Sequence, residues 1–210
     1  MILIGQYDSP FVRRVAIALA TYGLAYEHRP WSVFGDADRI AKFNPLRRVP
    51  TLVMDERTAF VDSTAILAVL DDMVGVERAS LARRGEDGRD NLRIAALAAG
   101  VAEKGVSLLY ERVLRDAALP LWVERCRLQI GETLDLLEAE RQLRPTRYLF
   151  DEALSHADVM LAALWGFAAE ALPGELDWSR WPALEAHARA CEDLAVFREI
   201  RQPFIAPGRS

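Results

Sequence analysis

The hydrophobic pattern of this chain changes character once, around residues 74–88, and that change restricts it to two differently built parts. Up to about Met73, short apolar runs alternate with helical stretches; after about Asp87 the helical period continues almost throughout. Between them, Val74 to Gly88 is rich in glycine, arginine and acidic side chains and reads as a linker. A length of 210 residues sits between one domain and two. The expectation is an α/β part over residues 1–78 and an all-helical part over residues 86–210.

Within the first part, Met1 to Gly5 is an apolar run that fits a buried strand. Pro10 to Tyr22 carries Val12, Val15, Ala16 and Leu19 at helical spacing, and Gly23 supplies the stop. Leu24 to Arg29 fits a second strand parallel to the first, which makes a βαβ unit. A helix of about two turns is expected through Ala37 to Phe43. Thr51 to Met54 and Ala59 to Val61 flank the polar turn Asp55-Glu56-Arg57-Thr58 as a hairpin, and Ile66, Leu67 and Leu70 return to helical spacing over Ser63 to Met73.

In the second part, Leu92, Ala95, Ala99, Ala102, Val106, Leu109 and Val113 step by three or four residues, as one face of a long helix must. Val123, Cys126, Ile130, Leu134 and Leu137 repeat the pattern, with Pro120 in the first turn, where its missing N–H costs little. Ser155-His156-Ala157-Asp158 has the spacing of a capping box, flanked by Leu154 and Val159 at the positions of a hydrophobic staple.

Charge and composition remove several function classes. The balance of 26 basic against 31 acidic residues, with no concentrated basic run, argues against a nucleic-acid partner. No apolar stretch approaches the roughly 18 residues of a membrane span, and MILIGQYDSP lacks the features of a signal peptide, so a cytoplasmic location is expected. Cys126 and Cys191 fall within helical patterns and read as small apolar fillers. His28, His156 and His187 show no ligand-like spacing with them, so no metal site is expected.

Three short elements can carry chemistry. Ser9 precedes a proline at the first helical position, so its hydroxyl lies beside unpaired N–H groups and the positive end of the helix dipole. A thiol held there, with an unperturbed pKa of about 8.5, would ionise more easily. Taken by itself, Ser9 reads as an N-cap worth roughly 1 kcal/mol of helix stability, and the thiol-holding role gains its weight from two further elements. Val49-Pro50 opens a strand, and Asp62-Ser63 closes one and opens a helix, with Ser63 expected as the N-cap and backbone N–H groups ready for a carboxylate.

Ser9-Pro10-Phe11, Val49-Pro50 and Asp62-Ser63, with the capping box about 90 residues further on, resemble the glutathione S-transferase family over nearly the whole chain. The resemblance implies a thioredoxin-like N-terminal domain, an all-α C-terminal domain and a homodimer. It implies glutathione as cosubstrate, with no other cofactor, conjugated to a small hydrophobic electrophile. Ser9 would stabilise the thiolate, with Tyr7 as a rival activator. Pro50 would be cis, with Val49 pairing to the cysteinyl unit. Asp62 and Ser63 would take the glutamyl ammonium and carboxylate, and Arg48 the glycyl carboxylate. Tyr7, Phe11, Tyr110 and Trp165 would border the electrophile pocket. The sequence departs from the family pattern at Asp62, where glutamate is commoner, and at Arg47, where glycine is usual. Other uses of the same fold are isomerisation, dehalogenation, glutathione-dependent reduction, or a glutathione-binding regulatory or stress protein with little turnover.

Overall fold

The computed structural model describes residues 1–207. The first half runs β1 (Ile2–Ile4), α1 (Pro10–Thr21), β2 (Glu27–Arg29), α2 (Ala37–Ile40), β3 (Thr51–Val53), β4 (Ala59–Val61) and α3 (Ser63–Val74). The strands form one sheet in the order β2-β1-β3-β4, with β1 parallel to β2 and the other pairs antiparallel. Alternation along β1 sends Leu3 toward α1 and α3, where it meets Val12, Val15, Leu52, Ile66 and Leu70. Ile4 points the other way and packs with Ile40 and Val53 against Trp31 and Phe43.

Helix α1 is the buried centre of this half. It starts at Ser9 with Pro10 at its first position, and it ends where Gly23, at φ +67°, lets the Leu24 N–H reach back to the Leu19 carbonyl at 2.9 Å. Helix α2 is shorter than the periodicity predicts, because Ile40 and Phe43 drop onto the sheet while the residues after Ile40 turn toward Asn44.

The second half is helical: α4 (Gly85–Val113), α5 (Pro120–Gln142), α6 (His156–Ala171), α7 (Pro182–Glu192) and α8 (Ala195–Glu199), with a 3₁₀ turn at Trp178–Arg180. The α5 stripe of Val123, Cys126, Ile130, Leu134 and Leu137 is buried as the spacing predicts, and Pro120 is the first residue of its helix. Helix α4 differs from its predicted stripe. Ala95, Ala102 and Leu109 of that stripe are buried, but Leu92 is 67% exposed, and the buried face also takes in Asn91, Ile94, Ala98, Val101, Gly105 and Leu108. Small residues decide this phase. A Cβ on Gly105 would come within 3.1 Å of the Phe167 ring on α6, so the two helices approach too closely for a larger side chain. Asn91 is buried because it has work in two directions, donating to the Leu81 carbonyl at 3.3 Å and accepting the Ala157 N–H at 2.9 Å.

The capping box at α6 is complete. Asp158 Oδ2 accepts from the Ser155 N–H at 2.7 Å, and Oδ1 accepts from the Leu149 N–H at 2.8 Å, in a fully buried setting. Cys126 and Cys191 are both buried and free, and burial pushes the Cys191 thiol pKa well above its ordinary value. No helix among the described residues is long and apolar enough to cross a membrane.

Candidate functional site

Ser9 stands at the wall of a cavity of about 1050 Å³ between the sheet half and the helical half. Its hydroxyl accepts the Val12 N–H at 3.4 Å, a long contact, while its carbonyl takes the stronger Arg13 N–H at 2.9 Å. The Ser9 hydroxyl proton is therefore free to point at an acceptor in the cavity, beside the positive end of the twelve-residue α1.

Glycine makes this approach possible. At Gly5 the backbone has φ +132°, and a Cβ there would lie 2.5 Å from Val12 Cγ2 and 2.8 Å from Val49 Cβ. Only a residue without a side chain lets the strand end, α1 and the Val49 loop converge. The loop is then fixed from below by Asn44, only 1% exposed, whose amide donates to the Arg48 carbonyl at 3.0 Å and to Thr51 Oγ1 at 3.1 Å. Arg47 adopts φ +54°, so an arginine occupies the left-handed position where the family usually has glycine. Its guanidinium pairs with Asp38 at 2.6 Å. The Val49-Pro50 bond is cis.

Arg48 and Val49 line the cavity, as do Phe11 and Tyr110. Tyr110 meets Phe34 edge-on at 5.4 Å between ring centroids, so side chains from α4 and from the loop after β2 touch across the mouth. Burial, then the nearby charge of Asp8, holds the Tyr110 hydroxyl above its ordinary pKa.

Asp62, Ser63 and Pro50 stand outside the cavity lining. Hairpin register explains their position: Thr51 pairs with Val61, so one step further Asp62 lies opposite Pro50. The N-cap expected at Ser63 belongs to Asp62, which sits at φ +68° and accepts the Thr64 N–H at 2.7 Å. Ser63 becomes the first helical residue and is 3% exposed.

Tyr7 and Trp165 are not among the residues that line this cavity. The Tyr7 ring stacks on His28 at 3.9 Å; burial, then the Tyr26 hydroxyl 2.8 Å from its own, drives the Tyr7 pKa upward. Trp165 packs edge-on against Trp178 at 5.6 Å, and Phe167, two residues along α6, faces the cavity in its place.

Sequence reasoning missed the far wall. Phe204, Ile205, Ala206 and Pro207 run along the cavity, and Phe204 meets Phe167 at 6.1 Å. The Phe204 N–H donates to Glu170 at 2.7 Å, and the Ile205 N–H donates to Asp8 at 3.0 Å. Asp8 also faces the cavity, with its carboxyl pKa raised chiefly by burial. No periodicity marks residues 201–207 in the sequence; the apolar Phe204-Ile205 pair was the one available signal.

A four-stranded mixed sheet carrying a cis-proline loop, joined to a bundle of long helices, is a thioredoxin-like domain followed by an all-α domain. The chain belongs to the glutathione S-transferase family: its N-terminal domain model matches residues 3–77 and its C-terminal domain model residues 120–190. The uncharacterized GST-like protein YibF of Escherichia coli (strain K12) is 34% identical over 166 residues, which span 78% of this chain and 77% of that protein. Among solved structures, a glutathione S-transferase from Methylobacterium radiotolerans JCM 2831, in complex with glutathione sulfonate, has the same fold, with a TM-score of 0.89, 24% identity, and coverage of 100% of this chain and 98% of that one. A glutathione transferase family member from Pseudomonas fluorescens Pf-5 with bound glutathione is 27% identical, with a TM-score of 0.80 over 97% of this chain and 99% of its own.

Proposed function

We propose that this protein is a glutathione transferase in which Ser9 stabilises the thiolate of bound glutathione for attack on a small apolar electrophile. The observation that carries the reading is the Ser9 hydroxyl, weakly engaged by its own helix at 3.4 Å and facing a cavity shared with Phe11, Tyr110 and Phe167. The glutathione held by the Pseudomonas fluorescens relative supports the cosubstrate.

Ser9 donates its hydroxyl proton in a hydrogen bond to sulfur, and the α1 dipole adds to that stabilisation. The thiolate attacks an electrophilic carbon: a C–S bond forms, the carbon–halogen bond of an aryl halide breaks, and halide leaves with the electron pair. Val49 offers its main chain to the cysteinyl unit as an added strand would. Asp62 takes the glutamyl ammonium, Ser63 and the first N–H groups of α3 take its carboxylate, and Arg48 takes the glycyl carboxylate. Phe11 and Tyr110 hold the electrophile against the apolar side chains of α4. The working unit is a homodimer.

Incubation with glutathione and a panel of aryl halides, epoxides, peroxides and mixed disulfides tests the reading. Accumulation of a thioether identified by mass spectrometry supports it. Tight glutathione binding with no product from any class would favour the regulatory alternative.

A further inference from the structure

Asp8 brings a carboxylate to the cavity wall with no opposite charge beside it. It lines the cavity one residue before Ser9, is partly buried, and makes no ion pair among the described residues. The Ile205 N–H, 3.0 Å away, holds it from the far wall, and the side-chain charge that acts on it, that of Glu170, has the same sign. Partly desolvated charges are normally paired, so this position favours a ligand that brings the missing cation.

Both arginines of the lining are engaged elsewhere. Arg47 pairs with Asp38 at 2.6 Å, and Arg48 is the residue given above to the glycyl carboxylate. Asp116, exposed beyond the end of α4, adds another carboxylate to the lining, so the part of the cavity left for the electrophile is acidic. The rings around it suit the same ligand. Phe34 meets Tyr110 edge-on at 5.4 Å and Phe167 meets Phe204 edge-on at 6.1 Å, which places a pair of aromatic side chains on each of two walls. The charge of Asp8 reaches the Tyr110 hydroxyl and helps to raise its pKa, so carboxylate and rings face one space. Aromatic faces attract organic cations, and a carboxylate among them supplies the counter-charge.

Resting on the glutathione reading above, we infer that the electrophile is an aromatic organic cation, an apolar ring system bearing an ammonium group, and that Asp8 is the residue that selects it. Two neighbours ahead of α1 then serve the two reactants: Ser9 faces the sulfur, and Asp8 receives the positive charge of the compound that the sulfur attacks.

Three chloronitrobenzamides that differ only at the end of a short side arm, in trimethylammonium, hydroxyl or sulfonate, test this in the unaltered protein and in Asp8→Asn, which keeps an acceptor for the Ile205 N–H. Thioether formation is followed by mass spectrometry, and each kcat/KM is divided by the uncatalysed rate of the same compound with glutathione. The unaltered protein should prefer the cation to the anion by about tenfold, with the neutral compound between them, as expected of a charge pair in a partly wet cavity. Asp8→Asn should reduce that preference to about twofold, and Asp8→Glu should keep most of it. Any effect of Asp8 on the thiolate itself is common to the three compounds and cancels in the ratio. Equal rates in the unaltered protein, a preference for the anion, or a preference that survives Asp8→Asn overturns the role of Asp8. Calorimetric uptake of glutathione with no thioether from any of the three overturns this inference alone, whereas no uptake of glutathione overturns the underlying reading as well.

Discussion

The Asp8 carboxylate accepts the Ile205 N–H at 3.0 Å, so the residue next to the candidate catalytic serine holds a segment 197 positions away in sequence. Gln202 reinforces it, its side-chain oxygen accepting the Tyr7 N–H at 3.2 Å. One wall of the cavity is thereby made of irregular chain, held by three side-chain acceptors rather than by packing alone.

Ending the chain after Pro203 is expected to remove that wall and leave the Ser9, Val49 and Asp62 elements untouched. Glutathione affinity should stay within about twofold, and the KM for apolar electrophiles should rise several-fold as the Phe204 and Ile205 surface is lost. Steady-state kinetics with electrophiles of graded size provide the check.

Asp8→Asn should stabilise the protein at neutral pH. Burial raises the Asp8 carboxyl pKa in the fold, so the folded state favours the protonated form. The charged form then opposes folding above that raised pKa, and the opposition fades as pH falls through it. The amide oxygen of asparagine still accepts from Ile205. Denaturant midpoints of the two proteins should therefore differ near pH 7 and converge in acid.

At Gly5, even one methyl group is too much. Gly5→Ala places a Cβ 2.5 Å from Val12 and 2.8 Å from Val49 at a φ of +132°. A loss of about 2–4 kcal/mol is expected from overpacking combined with an unfavourable backbone region, read by urea denaturation.

Asp158→Ala removes the acceptor for the Leu149 and Ser155 N–H groups and for the Ser155 hydroxyl, and leaves buried His187, 3.4 Å away, without its carboxylate. A cost of about 3–5 kcal/mol is expected, since three buried donors lose their partner at once. The same denaturation experiment reads it.

Much of this could be read from local chemistry. Ser9-Pro10 and Ser155–Asp158 declare helix starts because capping depends on neighbours within one turn, and both stand where the spacing puts them. The hairpin and the α5 stripe follow from periodicity for the same reason. What failed depends on distant contacts. Leu92 fits the period of α4 but loses to Asn91 and the small residues that meet α6. Asp62 outcompetes Ser63 as N-cap because the strand enters α3 through a left-handed residue, a conformation aspartate tolerates. The ring contacts of Tyr7 with His28 and of Trp165 with Trp178, for which the sequence raised no expectation, are likewise invisible in the one-dimensional pattern. Asn44 carried a readable cue, an Asn-Pro turn, but its grip on Arg48 and Thr51 emerges only in three dimensions.

The most direct measurement is the ultraviolet titration of the thiolate of glutathione bound to the unaltered protein and to Ser9→Ala. A hydrogen bond to a charged group is worth about 1.5–3 kcal/mol, or about one to two pKa units. The bound thiol should ionise below neutral pH, against about 8.5 for an unperturbed thiol, and Ser9→Ala should move it back by about a unit or more with glutathione still bound. Superimposable titration curves for the two proteins would contradict the role given to Ser9.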